Sequence, residues 1–480
     1  MRLPTLHTEE VFDPETHEGT WWLPDAPQRT FRGRLVFDAG LLELAIDDSL
    51  FEPTVEPGIY SFEGSFGVWL EVPAVHGLVD DQPVTLLQLG GLSMAMPGAF
   101  KVNEEWHAQF AIFGEHLDPD STFDRIDLTL EHLDEFIGVG PVIPNLSGRD
   151  EEIEAVDAVA KRLSVTTGEV IGAGRVEFFV RARFSVANNA TTIGNVGQVR
   201  FVATEPIALG ELFVHAGRLR ELVRLSTHCE CAITSAYVGP AGRSVGLRVL
   251  RPLTSVGRRP CTRGASHNMF FTVRTIPGGS GAFDVWWSLR DRYRRAWSLL
   301  TVHDDGRFPN AGERFAAYVR AVEALHYVDF STPRIAVAEK DERVAEALDA
   351  LPPHLREWAE PLLTKAYADF FRARLRELII YLGVVGTRLV GGDIEAFIDA
   401  ATKTRNEVIH PPPEQRKGLD EIGQIWMGTA LYWIAHCYLV VRLGMSPDDL
   451  NRRLDRMPGA REVEERMRTN LEPLTARNDQ

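Results

Sequence analysis

The segment "DIEAFIDAATKTRNEVIH", residues 393–410, carries the clearest structural signal in the chain. Asp393 follows two glycines and precedes a run with helical apolar periodicity, which is the pattern of a helix N-cap, and Glu395 places a negative charge in the first turn. Three prolines follow, beginning at Pro411. Because Pro411 disfavours helical backbone at the residue before it, we predict that the helix ends at about His410.

The last two turns of this helix carry Arg405 and His410, five positions apart. An arginine stays cationic and can hold a phosphate, and a histidine beside it can take or give a proton near neutral pH. Such groups can cleave RNA without a metal, because the histidine moves the proton of the 2′-hydroxyl or of the leaving 5′ oxygen while the arginine stabilises charge on the phosphoryl group. One pair cannot supply both acid and base, so we expect two helix ends to meet across a two-fold dimer.

The same two residues also fit a plainer interpretation. Two cations near a helix C-terminus interact favourably with the negative end of the helix dipole. The spacing alone is not specific, because Arg2 and His7 repeat it at the start of the chain. Arg405 and His410 are distinguished by Asn406 directly after the arginine, by the helix stop on the histidine and by an apolar helix that follows.

Helical periodicity continues on both sides of this segment. In the segment 312–328, four apolar residues recur on one helical face: Phe315, Val319, Val322 and Leu325. Further helices are predicted at 368–382 and 419–444. We therefore predict an all-α bundle over residues 281–460, followed by a C-terminal tail over 461–480.

The segment "IWMGTALYWIAHCYLVV", residues 425–441, is the most membrane-like part of the chain, since it holds no Lys, Arg, Asp or Glu. It is slightly shorter than a usual membrane span and contains His436, so we predict a buried helix or a subunit interface. The start, "MRLPTLHTEE", lacks the apolar stretch of a secretory signal, and four cysteines are too few for a disulfide framework. We therefore expect a cytoplasmic protein without a membrane partner.

The first half of the chain shows β patterning instead. Short apolar or alternating runs, separated by Gly, Pro and Asp clusters, predict strands of an antiparallel sandwich or barrel at 30–37, 41–46, 84–89, 107–113 and 123–130. A second β-rich region, with one helix at 211–226, has predicted strands at 175–186, 196–203, 245–253 and 269–276. The predicted fold class is α+β and multidomain: an acidic β-rich domain over 1–145, a second β-rich region over 150–280, and the helical bundle.

The net charge of −17 is distributed unevenly along the chain. Residues 1–150 carry a net charge of −20, residues 151–280 carry +6 and residues 281–480 carry −3. A strongly acidic total argues against a nucleic-acid partner for the chain as a whole. Because the excess acid lies in residues 1–150, the bundle itself stays compatible with RNA binding.

Several further polar side chains are candidates for the border of the site or for RNA binding: Glu323, His326, Lys403, Arg416 and Lys417. Glu323 and His326 lie one turn apart on a predicted helix, where such residues are more often satisfied polar groups at the edge of a core. Arg416 and Lys417 directly follow the prolines, where they can steer RNA toward His410.

The segment "THCEC", residues 227–231, offers a set of zinc donors together with a later cysteine: His228, Cys229, Cys231 and Cys261. Its C-x-C spacing is tighter than that of common structural zinc sites. Buried thiols that pack at alternating strand positions explain the pattern as well. We favour packing, and we expect neither a metal nor another cofactor.

Three segments, in this order along the chain, resemble one family. The stretch "GTWWLPDAPQRTFRGRLVF" (19–37) is similar to the opening of ApeA-type HEPN proteins of bacterial antiphage defence, a W-x-x-P element that leads into a G-x-L strand. The stretch "RFPNAGERFAAYVRAVEALHYVDF" (307–330) is similar to the first HEPN helix of that family, with its E-A-x-H-like run, and "RNEVIH" (405–410) fits the R-x(4–6)-H motif of HEPN ribonucleases. The resemblance covers roughly residues 15–445.

The resemblance implies a metal-independent endoribonuclease toxin that acts as a homodimer or larger assembly and causes abortive infection when phage is sensed. Its substrate would be RNA, with tRNA as one candidate; Arg405 would bind the scissile phosphate, His410 would act as acid and base, and Asn406 would orient the site or bind phosphate. The acidic N-terminal region would sense an unknown phage trigger or restrain the site.

Two other hypotheses compete with this one. The first is a non-catalytic HEPN module, in which the bundle dimerises and the β-rich region binds a ligand or a protein. The second is a carbohydrate-binding β protein with a helical oligomerisation tail, which gives no reason for placing Arg405 and His410 together.

Overall fold

The computed structural model describes residues 15–38, 41–47, 50, 61–62, 65–66, 68–93, 104–138, 145–147, 155–157, 163–187, 190–243, 246–252, 268–301, 310–330, 337–366, 371–409 and 419–475. The chain divides into two compact units, Met1–Asp284 and Val285–Gln480, which we call the β unit and the helical unit. The predicted fold class, an antiparallel β-rich region followed by a helical bundle, is confirmed.

The strands of the β unit follow each other as β1 (Glu15–Trp22), β2 (Phe31–Asp38), β3 (Leu41–Ile46), β4 (Ser61–Phe62), β5 (Ser65–Phe66), β6 (Val68–Val79), β7 (Gln82–Ser93), β8 (Glu104–Phe113), β9 (Thr122–Leu130), β10 (Asn145–Ser147), β11 (Ala155–Asp157), β12 (Leu163–Val170), β13 (Gly174–Ala187), β14 (Ala190–Ala208), β15 (Ile233–Pro240) and β16 (Leu247–Leu250). Twelve of them form one sheet in the order β12-β13-β14-β9-β15-β16-β8-β3-β2-β1-β6-β7, and β7 pairs again with β8. The strands from β8 through β3, β2, β1 and β6 to β7 therefore close into an antiparallel barrel. Closure pairs strands that would otherwise be exposed edges.

The core of the barrel is built around Trp21 on β1, which is fully buried. Its indole N–H donates to the carbonyl of Gly33 on β2 at 3.1 Å, so the one polar atom of the ring is satisfied. A Cβ at Gly77 on β6 would overlap the six-membered part of the Trp21 ring. The sequence therefore needs glycine there, because the large ring lies directly against the backbone of a nearby strand.

The two predicted β regions belong to the same sheet. The end of β8, at Ala111–Phe113, pairs with β16, and β9 pairs with both β14 and β15. The boundary predicted near residues 145–150 thus falls between strands that are hydrogen-bonded to each other across it. Local patterning cannot reveal such pairing, because it joins residues about a hundred positions apart, as Leu128 and Ala236 are.

The strand predicted at 269–276 is wrong. The segment is irregular, although Met269, Phe270, Phe271, Val273 and Ile276 are all buried. Its backbone N–H groups bond outside any sheet: that of Phe270 donates to Ser226 O, and that of Val273 donates to Phe136 O, each at 2.9 Å. A buried apolar run can be satisfied by helix ends as well as by a strand ladder, and its composition does not distinguish the two.

The helices are α1 (Leu133–Ile137), α2 (Leu209–Thr227), α3 (Ala282–Arg292), α4 (Arg294–Thr301), α5 (Ala311–Phe330), α6 (Val337–Asp349), α7 (Pro353–Ala366), α8 (Phe371–Tyr381), α9 (Val384–Leu389), α10 (Ile394–Ile409), α11 (Glu421–Arg442), α12 (Pro447–Leu454) and α13 (Pro458–Thr475). Five of them confirm the predicted helices at 211–226, 312–328, 368–382, 393–410 and 419–444 to within three residues at each end.

The centre of the helical unit is the packing of α5 against α11. The four apolar residues predicted to share one face of α5 are all buried, which confirms the helical period. The segment 425–441 lies in α11, where every residue from Ala430 to Val440 is buried, so the predicted buried helix is confirmed. No helix within the described ranges is long and apolar enough to cross a membrane.

The helical unit continues past residue 460 into the predicted tail. Residues 461–475 form most of α13, and Val463, Met467 and Leu471 are buried at a helical spacing of four. Close packing is visible at Gly391, where a Cβ would lie 2.7 Å from the backbone nitrogen of Arg468. Because charged residues separate these three apolar positions, the overall composition of the segment does not indicate a buried helix face.

Candidate catalytic site

The helix α10 forms as its sequence predicts. The Asp393 carboxylate accepts a hydrogen bond from the backbone N–H of Ala396 at 2.9 Å, which is the expected N-cap contact. The buried face of α10 includes Phe397, Ile398 and Thr404. Arg405 is the residue after Thr404, and its side chain is 28 % exposed. A cation therefore lies near the end of α10, at the boundary between core and solvent.

Three elements hold the Arg405 side chain. Its Nη2 donates to Glu323 Oε1 on α5 at 3.3 Å, and its Nη1 lies 3.5 Å from Asn406 Oδ1 on its own helix. Its guanidinium carbon lies 5.6 Å from the centre of the Phe371 ring at the start of α8. A planar cation fixed by a carboxylate and an aromatic ring has a defined orientation before any ligand binds.

The hydrogen bonds of Arg405 are not saturated. Its Nε is buried and has no hydrogen-bond partner among the described residues. A guanidinium carries five N–H donors in a fixed fork, and only the contacts to Glu323 and Asn406 engage them in the described part of the chain. The group therefore keeps donors for an anion, and a phosphate matches its geometry.

His410, Arg416 and Lys417 lie outside the described residues, so their predicted roles stay predictions. Their chain neighbours on both sides are described. The helix α10 ends at Ile409, and the backbone N–H of Leu419 donates to Thr404 Oγ1 at 3.2 Å. Ile409 and Leu419, the described residues on either side of 410–418, therefore both lie near the C-terminal end of α10.

Glu323 and His326 take different positions, although they are three residues apart. Glu323 contacts Arg405, so the structure brings this predicted border residue to the site. His326 is only 1 % exposed; its Nε2 lies 2.6 Å from Glu377 Oε2, and its ring stacks on Phe330. A buried histidine with a carboxylate partner on α8 fixes helix packing rather than facing a substrate.

Lys403 and Asn406 flank Arg405 along α10. The Lys403 Nζ forms an ion pair with Asp399 Oδ2 at 2.7 Å, one turn back on the helix. Residues two apart on a helix differ by about 200° in direction, so Lys403 faces away from Arg405. Asn406 is exposed, and its Oδ1 lies beside the Arg405 guanidinium; its predicted role stays a prediction.

An extensive polar cluster near the C-terminal end of α5 was not predicted from the sequence. Asp329, with a side chain 7 % exposed, accepts hydrogen bonds from the hydroxyls of Tyr293 and Tyr438 and forms ion pairs with Arg292 and Arg442. Burial and the bond to Asp329 raise the pKa of Tyr293 to about 12. We call these five residues the Asp329 cluster.

The arginine-rich segment 289–297 does not form an RNA-stacking surface. Its two aromatic residues, Tyr293 and Trp297, are 1 % and 2 % exposed, so neither ring is open to a base. Arg292 is paired with Asp329. The aromatic residues of this segment belong to the core, whereas Asp291, Arg292, Arg294 and Arg295 are exposed.

The described zinc candidates do not converge on one point. His228 ends α2 in a left-handed conformation, and Cys229 is disulfide-bonded, which its sequence context does not predict. Cys231 is buried with its thiol against the Glu131 carbonyl, and burial raises the pKa of that thiol well above its usual range. Cys261 lies outside the described residues. In the described part of the chain, no group of three or more His, Cys, Asp and Glu side chains could hold a metal ion.

The fold and the site together define a class. A helical unit with a held arginine near the end of α10, a histidine next in sequence after that helix, and an apolar helix, α11, packed against α5 is the arrangement of a HEPN-type domain, here in one chain with an antiparallel β unit.

Comparison with protein-family models names the family. A model described as ApeA N-terminal domain 1 matches residues 16–281, more than half of the chain, and a model described as Apea-like HEPN matches residues 316–449. The protein belongs to the ApeA family of HEPN proteins. No curated protein and no solved structure matches the chain.

Proposed function

We propose that this protein is a metal-independent endoribonuclease of antiphage defence, with Arg405 and His410 as its catalytic residues. The observation that carries the proposal is Arg405 itself: a guanidinium fixed by Glu323 and Phe371, partly exposed, and still holding unused donors at the end of α10. Membership of the ApeA family supports it, because HEPN domains are commonly ribonucleases.

The chemistry follows from the two side chains. Arg405 binds the scissile phosphate and stabilises the negative charge that grows on its oxygens during attack. His410 takes the proton of the 2′-hydroxyl, whose oxygen then bonds to phosphorus while the bond to the 5′ oxygen breaks. The leaving oxygen receives a proton from a second imidazole. The products are a 2′,3′-cyclic phosphate and a 5′-hydroxyl, and neither step needs a metal.

The need for two imidazoles supports a homodimer. One chain carries one Arg405 and one His410, so a single helix end supplies either the base or the acid. Two copies related by a two-fold axis supply both, because such an axis brings the same surface of each chain together. We therefore propose that the active form is a homodimer or a larger assembly whose site is shared between chains.

The β unit serves as sensor or regulator in this proposal. It is a separate compact unit, it carries nearly all the excess negative charge of the chain, and it matches the family's N-terminal domain model. In a cytoplasmic defence protein, a phage component recognised by the β unit would release RNA cleavage and stop growth of the infected cell.

Cleavage of total cellular RNA by the purified protein, in buffer with a chelator, tests the proposal. We expect fragments with cyclic phosphate ends from the wild type and none from His410→Ala or Arg405→Ala. Arg376→Ala is the matched control, since Arg376 forms a similar exposed ion pair with Glu395 away from Arg405.

The outcome also separates the proposal from a non-catalytic HEPN module. That alternative requires the His410→Ala and Arg405→Ala proteins to protect cells from phage as well as the wild type does. Loss of protection together with loss of cleavage supports the enzyme, whereas retained cleavage in His410→Ala contradicts it.

A further inference from the structure

The exposed stripe of α5 next to Arg405 carries two large side chains that the site described above does not use. Arg320 lies one turn before Glu323 on this helix, and Tyr327 lies one turn after it. Side chains three or four residues apart on a helix are neighbours at about 5–6 Å between Cβ atoms. Arg320 and Tyr327 therefore flank the carboxylate that holds Arg405.

Tyr327 is much more exposed than the other aromatic residues of α5. It is 68 % exposed, whereas Phe315 and Tyr318 on the same helix are 1 % and 3 % exposed. Within the described ranges, Tyr327 has neither a hydrogen bond nor a ring contact. Its ring is therefore open on the solvent side, and the fold gains little from its presence.

Arg320 is an exposed cation on the same stripe. Several arginines of the helical unit are paired with carboxylates, as Arg376 is with Glu395 and Arg388 with Glu464. Arg320 forms no such pair with any residue that the structure describes. An unpaired guanidinium beside the proposed site is suited to a phosphate.

The spacing fits a short single strand. Seven residues separate Arg320 from Tyr327, which is about 10 Å along a helix axis. Arg405 donates to Glu323, which lies on the same stripe between Arg320 and Tyr327. The stripe thus presents a cation, a second cation and an aromatic ring in sequence, and an aromatic ring can stack only on a base that is unpaired.

We propose that this stripe of α5 is a binding subsite for single-stranded RNA, in which Tyr327 stacks on a base beside the phosphate held by Arg405 and Arg320 binds a neighbouring phosphate. The subsite rests on the proposed ribonuclease function. It assigns the substrate class: the strand is cut at an unpaired position such as a loop or an end.

The chemistry of the stripe favours RNA over a second copy of this chain. Glu323 lies between Arg320 and Tyr327 on the stripe, and glutamate is depleted at protein interfaces. An aromatic ring next to cations is the usual composition of a surface that tracks a single strand.

Binding of a labelled single-stranded RNA to the full-length His410→Ala protein, in chelator, tests the stacking contact without cleavage. Adding Tyr327→Ala should weaken binding about tenfold, within the range measured for loss of one base stack. Tyr327→Phe should recover that loss, because the ring rather than the hydroxyl stacks. Trp358→Ala is the matched control: Trp358 is 67 % exposed on α7, so its loss should change the affinity less than twofold.

An abasic scan locates the stacked base. A series of RNAs, each lacking the base at one position, is bound to the protein that keeps Tyr327. The RNA that lacks the stacked base should bind about tenfold more weakly than the intact RNA, whereas the Tyr327→Ala protein should bind these two RNAs equally.

A phosphate contact has a different signature. Arg320→Ala should reduce the slope of log affinity against log salt by about 0.7, whereas Tyr327→Ala and the exposed control Arg456→Ala should leave the slope unchanged.

Each result decides a separate question. If the His410→Ala protein binds RNA equally well with and without Tyr327→Ala, the subsite proposal is overturned, whether or not the wild type cleaves RNA. A change of sedimentation, without a change of RNA affinity, assigns the stripe to contact between chains and also overturns it. If the wild type does not cleave RNA but binds it in a way that depends on Tyr327, the subsite is supported and the proposed ribonuclease function is contradicted.

Discussion

Two carboxylates of α5 carry the same kind of interaction in two different states. Glu323, in the middle part of the helix, holds Arg405 through one contact of 3.3 Å, and both side chains are more than a fifth exposed. Asp329, near the C-terminal end, is 7 % exposed and contacts two hydroxyls and two guanidinium groups. The two carboxylates are six residues apart on one helix.

Burial and the number of polar partners distinguish the Asp329 cluster, which is structural, from the candidate site at Arg405. Every oxygen of Asp329 is engaged, and the cluster links α5 to α11 and to Tyr293, so a ligand would have to break several buried contacts to enter. Arg405 has one carboxylate partner and a buried Nε without one in the described residues. Saturated polar groups rigidify a fold, and unsaturated ones at its surface are available to a substrate.

The largest effect is expected for Arg405→Ala. RNA cleavage should fall by about 10²–10³-fold, the cost of losing one charge-stabilising donor, because the charge of the transition state loses its cation. The free energy of unfolding should change by less than about 1 kcal/mol, since the ion pair is exposed. Cleavage rates with chemical denaturation check both. A strong loss of stability together with activity would mean that Arg405 is structural.

Asp329→Ala should show the opposite pattern. Breaking a buried ion pair leaves its cations without a partner, so the free energy of unfolding of the helical unit should fall by about 3 kcal/mol. The rate of cleavage per folded molecule should stay within twofold. Asp349→Ala is the matched control, because Asp349 is 82 % exposed and its pair with Arg356 contributes little. Equal stability of the two variants would contradict the comparison.

Glu323→Ala should lower cleavage about tenfold, because Arg405 loses the contact that orients it. A positioning role predicts that kcat falls while KM changes little, and that Glu323→Gln recovers most of kcat through its remaining oxygen. Glu395→Ala, which removes the partner of Arg376, is the control. A rise in KM alone would place Glu323 in substrate binding instead.

Thr404→Val should cost about 1 kcal/mol of stability and reduce cleavage about threefold. It removes the acceptor for the Leu419 N–H, which fixes the return of the chain after the segment that holds His410. Thr402→Val is a close control on the same helix: its hydroxyl bonds to the Ile398 carbonyl, as that of Thr404 bonds to Ala400, but it holds no second segment. The two variants should therefore differ in cleavage.

The smallest effect is a pH dependence in the Asp329 cluster. Burial and the bond to Asp329 raise the pKa of Tyr293 to about 12, from an ordinary value of 10.0 in the unfolded chain. The stability contribution is therefore complete below pH 10 and is lost as pH rises toward 12. Between pH 8 and pH 10.5 the free energy of unfolding should fall further in the wild type than in Tyr293→Phe, and the difference should be about 0.8 kcal/mol. Equal loss in the two proteins would contradict the raised pKa; the same pair at pH 8 is the reference.

Local signals predicted much of this arrangement. The N-cap at Asp393, the proline stop at Pro411 and the apolar face of α5 act within a few residues, so the sequence places those helices well. The contact of Glu323 with Arg405 joins residues 82 positions apart, and Phe371 comes from a third helix. Such contacts depend on how helices pack, which periodicity does not specify.

Other errors have the same origin. The segment 269–276 has a strand-like composition but is satisfied by Ser226 and Phe136, which only the tertiary fold brings near. Tyr327 could have been found from the sequence, because it lies at i+4 from Glu323 on a helix whose buried face was predicted correctly. Exposure of an aromatic residue is informative once the buried face of its helix is known.

The strand β8 has a consequence for the order in which the protein is made. It pairs with β3 and β7 in the barrel and with β16 in the rest of the sheet, so the barrel and the remaining strands share a backbone and cannot unfold independently. The last partner, β16, ends at Leu250, which is 155 residues before Arg405. At a translation rate of about 5–20 residues per second, the described strands of this sheet are all synthesised roughly 8–30 s before the ribosome adds Arg405. A newly made chain therefore contains these described strands before it has a site to control.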